Sequence, residues 1–399
     1  MKSIYLDHNA TTPIDPRVVA AMQDCYARIG ANAGSQHRAG RAARLALDDA
    51  REEIATLLGA EISSAADQFV VTSGGTEANN LGILGRALGD PGRMIISSLE
   101  HPSTIAAAGE LAQRGWQIDW LAALESGSIC LNHLEALLKK GQPPHLVSVM
   151  LANNETGVIQ PIREVVQRCH AYGIPVHTDA VQVAGKSPID FRELGVDSLS
   201  LAAHKFHGPA GVGGLLVRNG SQLRPILFGG SQQLGMRPGT EPVALVVGML
   251  AALRLWSEES SERYERLESG RNRLESALCE DSSAVVNGTD PRLPHTLNIS
   301  FCGLDRQAIL MALDLAGVAC STGSACASGS SEPSPVLLAM GLDRERIESS
   351  LRLSLGATTQ SEEIEEAAVR ILKTIRHLRQ SESPANSPSE PREIRPESV

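Results

Sequence analysis

Several residues that could do chemistry each stand just after an apolar run. Lys205 closes the stretch LSLAAHK. An apolar flank favours the neutral amine, the form that condenses with an aldehyde to give a Schiff base. Asp179 and Gln182 follow IPVHTDAVQ, and His101 follows RMIISSLEH. Gly74, Gly75 and Thr76 join FVVTS to a helical pattern. A glycine turn that opens a helix offers backbone N–H groups to a phosphate. No Gly-Lys-Ser/Thr follows, so this is not a Walker loop. Taken singly, each signal is weak: glycine marks many tight turns, an aspartate there can cap a helix, and lysines usually lie on surfaces. Taken together they supply an amine, a carboxylate, a ring-stacking imidazole and an anion cradle. Those are the parts that pyridoxal 5′-phosphate (PLP) requires, the carboxylate keeping the pyridinium nitrogen protonated. His204 and His207 flank Lys205, but no carboxylate or thiol clusters beside them, so a zinc site is not expected.

Cys326 raises a separate question. It lies in STGSACASGS, a Gly/Ser-rich loop, whereas a thiol usually packs as a small hydrophobe. The thiolate is a strong nucleophile, and exposure beside cationic groups promotes it. The chain has 7 cysteines and no C-x-x-C, which suggests neither a disulfide framework nor a zinc site.

The elements that must position these groups alternate. Candidate strands DQFVVTS, RMIISS, QIDWLA, HLVSVMLA, IPVHTDA, DSLSLAA and GGLLVR are separated by helical patterns at 76–88, 103–115, 131–140 and 162–172. Such alternation predicts an α/β fold with a mostly parallel sheet, whose ligands sit beyond the carboxyl ends of the strands. Two helices precede it, ending near Gly30 and Gly59. A helix at 242–258 is expected to lead into a separate charged helix at 260–279. Beyond it come HTLNISF, a helix at 305–316, the Cys326 loop (321–334), a helix at 334–340, SLRLSL and a helix at 361–379, the pattern of a smaller unit. We therefore expect a large domain over 15–258 and a small domain of 1–14 with 259–380. Residues 381–399 are rich in Ser, Pro and Glu and are expected to be disordered. A net charge of −10 with scattered basic residues argues against nucleic acid, and no apolar run is long enough to span a membrane. The N-terminus shows no export signal, so a cytoplasmic protein is expected.

The motifs YLDHNATTP, TSGGTEANNLGI, EHPS, ANNETGVIQPI, HTDAVQVAGK, AHKFHGPAGVGG, RPGTE, STGSACASGSSEPSPVL and LRLSLGATT resemble, in consistent order, the NifS/IscS-type cysteine desulfurases of the class V aminotransferase family. The resemblance implies a fold type I PLP enzyme that acts as a homodimer. It implies that Lys205 binds PLP covalently, Asp179 pairs with the pyridinium nitrogen, Gln182 bonds the ring hydroxyl and His101 stacks on the ring and serves as acid/base. Gly75, Thr76 and His204 would hold the phosphate, with Thr240 reaching in from the other subunit. Asn154 and Arg352 would grip the substrate carboxylate. L-cysteine would become L-alanine, its sulfur captured as a persulfide on Cys326 and passed to an acceptor, an iron–sulfur scaffold or a thiolation factor. No metal is implied beyond a transient iron–sulfur contact at Cys326.

The chain also departs from the family pattern. Ala202 replaces a usual serine, which should remove one phosphate hydrogen bond. Ala210 replaces a usual lysine and His8 a usual asparagine, and Gln233, Pro238 and Pro242 alter the 230–242 segment. Two alternatives follow. A selenocysteine lyase or other class V enzyme would not need Cys326. A non-catalytic sulfur-carrier scaffold would bind no PLP.

Overall fold

A computed structural model describes residues 2–61, 67–323 and 332–382. The chain opens with a short strand, β1 (Ile4–Tyr5), then α1 (Pro16–Arg28) and α2 (Arg38–Leu57). Asp15 caps α1 by accepting the Arg17 N–H, and Pro16 takes the first helical position, where its missing N–H is no loss.

The seven apolar runs named above all become strands of one sheet. They are β2 (Gln68–Thr72), β3 (Arg93–Ser97), β4 (Gln117–Leu121), β5 (Leu146–Ser148), β6 (Val176–Asp179), β7 (Ser198–Ala202) and β8 (Gly213–Val217). Between them lie α3 (Gly75–Leu84), α4 (Pro102–Gln113), α5 (Leu131–Leu138), α6 (Ile162–His170) and the short α7 (Phe191–Leu194). The spatial order is β2-β8-β7-β6-β5-β3-β4. The pairings from β7 to β4 are parallel, and β8 runs antiparallel to both β2 and β7. The β7–β8 link has no crossover helix, so the chain can only double back. Burial on both faces explains the continuous apolar runs: β3, β5, β6, β7 and β8 are buried at every position.

One long helix, α8 (Val243–Leu278), follows. It replaces the two helices expected from the sequence, so the anticipated boundary at 258/259 falls inside a continuous element. The Ser/Glu-rich stretch reads as a break, but it holds no proline and its Glu259 is held in two ion pairs. Glu259 accepts an i,i+4 ion pair from Arg263 at 2.6 Å and a second one from Arg17 at 2.6 Å.

The remainder builds a second, smaller sheet. Its order is β12-β10-β9, with β9 (Ala284–Val286), β10 (Thr296–Phe301) and β12 (Ser350–Ser354) all antiparallel. Beside it lie α9 (Arg306–Leu315), β11 (Val318–Ala319), α10 (Pro335–Ala339), α11 (Arg344–Glu348) and α12 (Ser361–Glu382). β1 pairs in parallel with β11 as a separate two-stranded sheet, and Asp7 bridges to Ser354 of β12, which brings the N-terminus to the smaller sheet. α12 continues past the expected end at 379 to Glu382, and the rest of the tail lies outside the described residues. Two apolar cores result. The larger one packs α1, α2, the first half of α8 and α6 on the big sheet. The smaller one packs Leu267, Leu274 and Leu278 of α8 with β10, β12, α9 and α12. Among the described residues no helix is long and apolar enough to cross a membrane.

Candidate active site

The carboxyl ends of β2, β3, β6 and β7 open on one cavity of about 200 Å³. Gly75, Thr76, His101, Asn154, Asp179, Gln182, His204, Lys205 and Arg352 all line it, so the sequence-predicted residues of six separate motifs meet at one place.

The floor is the N-terminus of α3, which has no side-chain cap. A helix start leaves its first N–H groups without intrahelical acceptors, which makes it suited to an anion. Glycine is needed here for space: a Cβ on Gly75 would lie 2.8 Å from Val181 Cγ2, and one on Gly213 would lie 2.7 Å from the Gly74 carbonyl carbon. His204 leans in from the turn after β7, its Nδ1 3.1 Å from Thr11 Oγ1. Burial, Lys205 and Lys186 lower its imidazole to about 4, so near neutral pH it is an uncharged ligand. Ala202, the last residue of β7, lines the same floor with a methyl group.

Asp179 ends β6 and is 5% exposed. Its Oδ2 accepts from Asn79 Nδ2 at 2.6 Å, and its Oδ1 accepts from Val181 N at 2.9 Å. Asn79 was not singled out from the sequence. Its signal was its place one turn after Gly75, which puts it on the same face of α3. Asn79 is itself held by Ser103 Oγ at 3.0 Å, and its Oδ1 faces His177 Nε2 at 3.3 Å. Beside them Glu100 is buried, and its Oε1 accepts from Met150 N at 2.6 Å. Burial and the neighbouring Asp179 push the Glu100 carboxyl up to about 8. His101 caps α4: its Nδ1 accepts from Ser103 N at 3.1 Å, so the neutral ring carries its proton on Nε2. Burial, then Lys205, pull its pKa down against the opposing pull of Asp179.

Lys205 stands in the single turn after β7. Its Nζ donates to Asn9 O at 2.6 Å and Ala10 O at 2.8 Å. The N-terminal segment thus folds over the end of β7, fixed by Thr12, whose N and Oγ1 both donate to His204 O. The same Asn9 carbonyl accepts from Gln182 Nε2 at 3.1 Å.

The far wall comes from the smaller sheet. Arg352, on β12, is 1% exposed, donating Nη1 to Asn154 O at 3.2 Å and Nη2 to Asp7 Oδ1 at 2.7 Å. Its Nε has no partner among the described residues. Asp7 is a second residue that the motif reading missed. The first end of the Cys326 loop starts at this wall, and the other is held by Glu155, the residue after Asn154. Ser321 exchanges backbone hydrogen bonds with Arg352, and Ser334 Oγ donates to the buried Glu155 Oε2 at 2.6 Å. Cys326 itself lies outside the described residues. Thr240 is exposed and does not line its own chain's cavity. Cys320 follows β11, where burial, then Asp7, push its thiol up to about 12.

These groups fit PLP. An uncapped helix start with glycine clearance suits the phosphate, the buried Asp179 suits the pyridinium nitrogen, and Lys205 lines the same cavity.

The model of the class-V aminotransferases matches residues 4–367. The chain belongs to that family. It is 40% identical to a cysteine desulfurase IscS of Dictyoglomus turgidum, over 94% of this chain and 96% of that one. The solved structure of a NifS-like protein from Rickettsia africae superposes with a TM-score of 0.85 at 33% identity, covering 93% of this chain and 99% of the other. A structure of SspA in complex with cysteine superposes with a TM-score of 0.78 at 33% identity, covering 90% and 100%. The α/β fold with a mostly parallel large sheet is therefore that of the NifS-like class-V enzymes.

Proposed function

We propose that the chain is a PLP-dependent cysteine desulfurase that converts L-cysteine to L-alanine and takes the sulfur onto Cys326. The observation that carries this reading is the convergence of Lys205, Asp179 and the α3 N-terminus with Arg352, and the anchoring of the Cys326 loop's ends at Arg352 and Glu155. Likeness to proteins named cysteine desulfurase, and to one solved with cysteine, supports it.

When bound, PLP supplies an electron sink that weakens the Cα–H and Cβ–S bonds of the amino acid. Gly75, Thr76 and His204 would hold its phosphate, Asp179 its ring nitrogen and Gln182 its ring hydroxyl, with Lys205 as the amine that would bind it covalently. Arg352 and Asn154 hold the substrate carboxylate, with Arg352 exchanging Asp7 for the new partner. Lys205 Nζ takes the Cα proton and returns it, and His101 serves as acid/base beside the ring. The Cys326 thiolate attacks the substrate sulfur. The new S–S bond forms as the Cβ–S bond breaks, and the carbon skeleton, protonated, leaves as L-alanine. The net change is L-cysteine plus Cys326–SH to L-alanine plus Cys326–S–SH. The persulfide passes to an acceptor protein, an iron–sulfur scaffold or a thiolation factor. The working form is a cytoplasmic homodimer in which Thr240 completes the partner subunit's phosphate site. Residues 15–258 form its large domain, with 1–14 and 259–380 forming the small one.

The test is incubation with L-cysteine, PLP and a thiol reductant, with alanine and sulfide quantified beside Cys326→Ala. Equimolar products from the parent protein, lost in the variant, are expected. Equal activity in both would make it a lyase of the selenocysteine type. A colourless protein without activity would make it a sulfur carrier.

A further inference from the structure

Lys186 has no role in the chemistry above, yet it is buried beside the site. It is 6% exposed, and among the described residues its side chain has one hydrogen-bond partner, Gln182 Oε1, at 2.8 Å. No carboxylate pairs with it among the described residues. The charged and titratable groups around it are Lys205, Arg352, His8, His204, His207 and His295, none of them an anion. Burying an amine beside two cations, Lys205 and Arg352, with no anion to offset them is unfavourable, and an apolar side chain of similar length would fill the space at lower cost. A purely structural lysine therefore has little to recommend it here.

Its place in the chain suggests what the amine does. Gln182 and Lys186 stand four residues apart in a run of turns held by Ala184 N to Ala180 O and Ser187 N to Val183 O. That stretch is seated on the residue after Lys205: Gly185 has φ +68°, and a Cβ there would lie 2.4 Å from Phe206 Cβ. Lys186, Gln182 and Lys205 are thus fixed relative to one another. An amide side chain can present either its oxygen or its NH₂ to a given neighbour, and only its hydrogen-bond partners decide which. The Lys186 amine donates to Oε1. That leaves Nε2 facing Asn9 O at 3.1 Å, the carbonyl that Lys205 Nζ also uses at 2.6 Å. Flipping the amide would set Gln182 Oε1 against Asn9 O, two acceptors face to face.

We propose that Lys186 is a positioning residue, which fixes the Gln182 amide with its N–H end toward Asn9 O and the ring hydroxyl of bound PLP. The proposal rests on the cofactor reading above and adds a residue to it. A donor at the ring hydroxyl favours the tautomer with that oxygen ionised, so Lys186 sets both cofactor affinity and the colour of the loaded protein.

The experiment is a double-mutant cycle with Lys186→Met and Gln182→Leu on the full chain. Two quantities are read: PLP affinity of the apo-protein, by equilibrium dialysis, and the ratio of visible to near-ultraviolet absorbance of the loaded protein. Each single change is expected to weaken PLP about tenfold, the scale of one hydrogen bond, and to lower the ratio. The double variant is expected to match Gln182→Leu alone, because Lys186 acts through Gln182. Losses that multiply in the double variant, or a Lys186→Met protein identical to the parent, overturn the proposal. Lys186→Gln keeps a donor without the cation and is expected to stay within about threefold of the parent affinity. If Lys186→Met does not fold, Lys186→Gln decides the matter, and a tenfold loss there overturns the proposal. Lys205→Ala serves as the separate control: if the visible band survives it, the cofactor reading itself fails, whatever the cycle shows.

Discussion

Replacing Ala202 by serine should tighten PLP binding, and the structure sets the scale. Ala202 is 1% exposed, ends β7 and lines the cavity floor. Its Cβ would lie 3.5 Å from a Cβ built on Gly75, so a hydroxyl at this position faces the phosphate cradle. A hydrogen bond to a charged oxygen contributes about 1.5–3 kcal/mol, and fixing one serine rotamer takes back about 0.5 kcal/mol. The net gain of about 1–2.5 kcal/mol corresponds to roughly 5- to 70-fold tighter binding. The assay is titration of apo-protein with PLP, followed by the visible absorbance, for the parent and Ala202→Ser. Pyridoxal without phosphate is the control ligand. Tighter PLP with unchanged pyridoxal is the expected result. An unchanged PLP affinity, or an equal gain with pyridoxal, would refute the placement of the phosphate at the α3 N-terminus.

Two further outcomes follow from the buried groups. Asn79→Ala removes the 2.6 Å donor to Asp179 and should lower kcat/KM for L-cysteine about 10- to 100-fold, the cost of a charge-assisted bond; steady-state kinetics with no loss would discard that role. His8 is 2% exposed, and burial, then His207 and Lys186, lower its pKa to about 3. Above pH ~6.5 neither the folded nor the unfolded state protonates it; below that the unfolded chain takes the proton and the folded one does not, so stability falls with pH. The loss due to His8 is about 2 kcal/mol between pH 6.5 and 5, and His8→Asn should remove it. Urea unfolding of both proteins across that range reads the difference, and parallel pH curves would contradict the assignment.

Much of the fold was legible because buried parallel strands leave unbroken apolar runs, and all seven in the large sheet were found. The antiparallel direction of β8 was not, because an apolar run carries no direction. β1, β9 and β11 escaped because they are two or three residues long and, unlike β5 within HLVSVMLA, are not set in a longer apolar run. The continuity of α8 was hidden because the partner that pairs Glu259 from outside the helix, Arg17, is distant in sequence. In the site, Lys205, Asp179 and Gly75 could be read because their side chains or missing side chain carry the signal. Asn9 contributes a backbone carbonyl, which any residue type has, and Asp7 meets Arg352 from the other end of the chain. Neither contact has a local sequence mark. Lys186 was quoted in a motif but given no task, since its partner became apparent only once the turn 180–187 was built.

The long helix α8 has a consequence for how the molecule comes apart. Its first half, from Val243 to Leu253, packs in the larger core, and Leu267, Leu274 and Leu278 pack in the smaller one. A glycine in each half allows close approach: a Cβ on Gly248 would lie 2.7 Å from Met22 of α1, and one on Gly270 would lie 2.7 Å from Ile364 of α12. Helices of this kind draw their stability mainly from the faces they bury. Melting either core therefore strips half the support from a rod that the other core needs. The helix acts as a common axle, and the two cores are thermodynamically yoked, losing their structure in one cooperative transition and not one after the other.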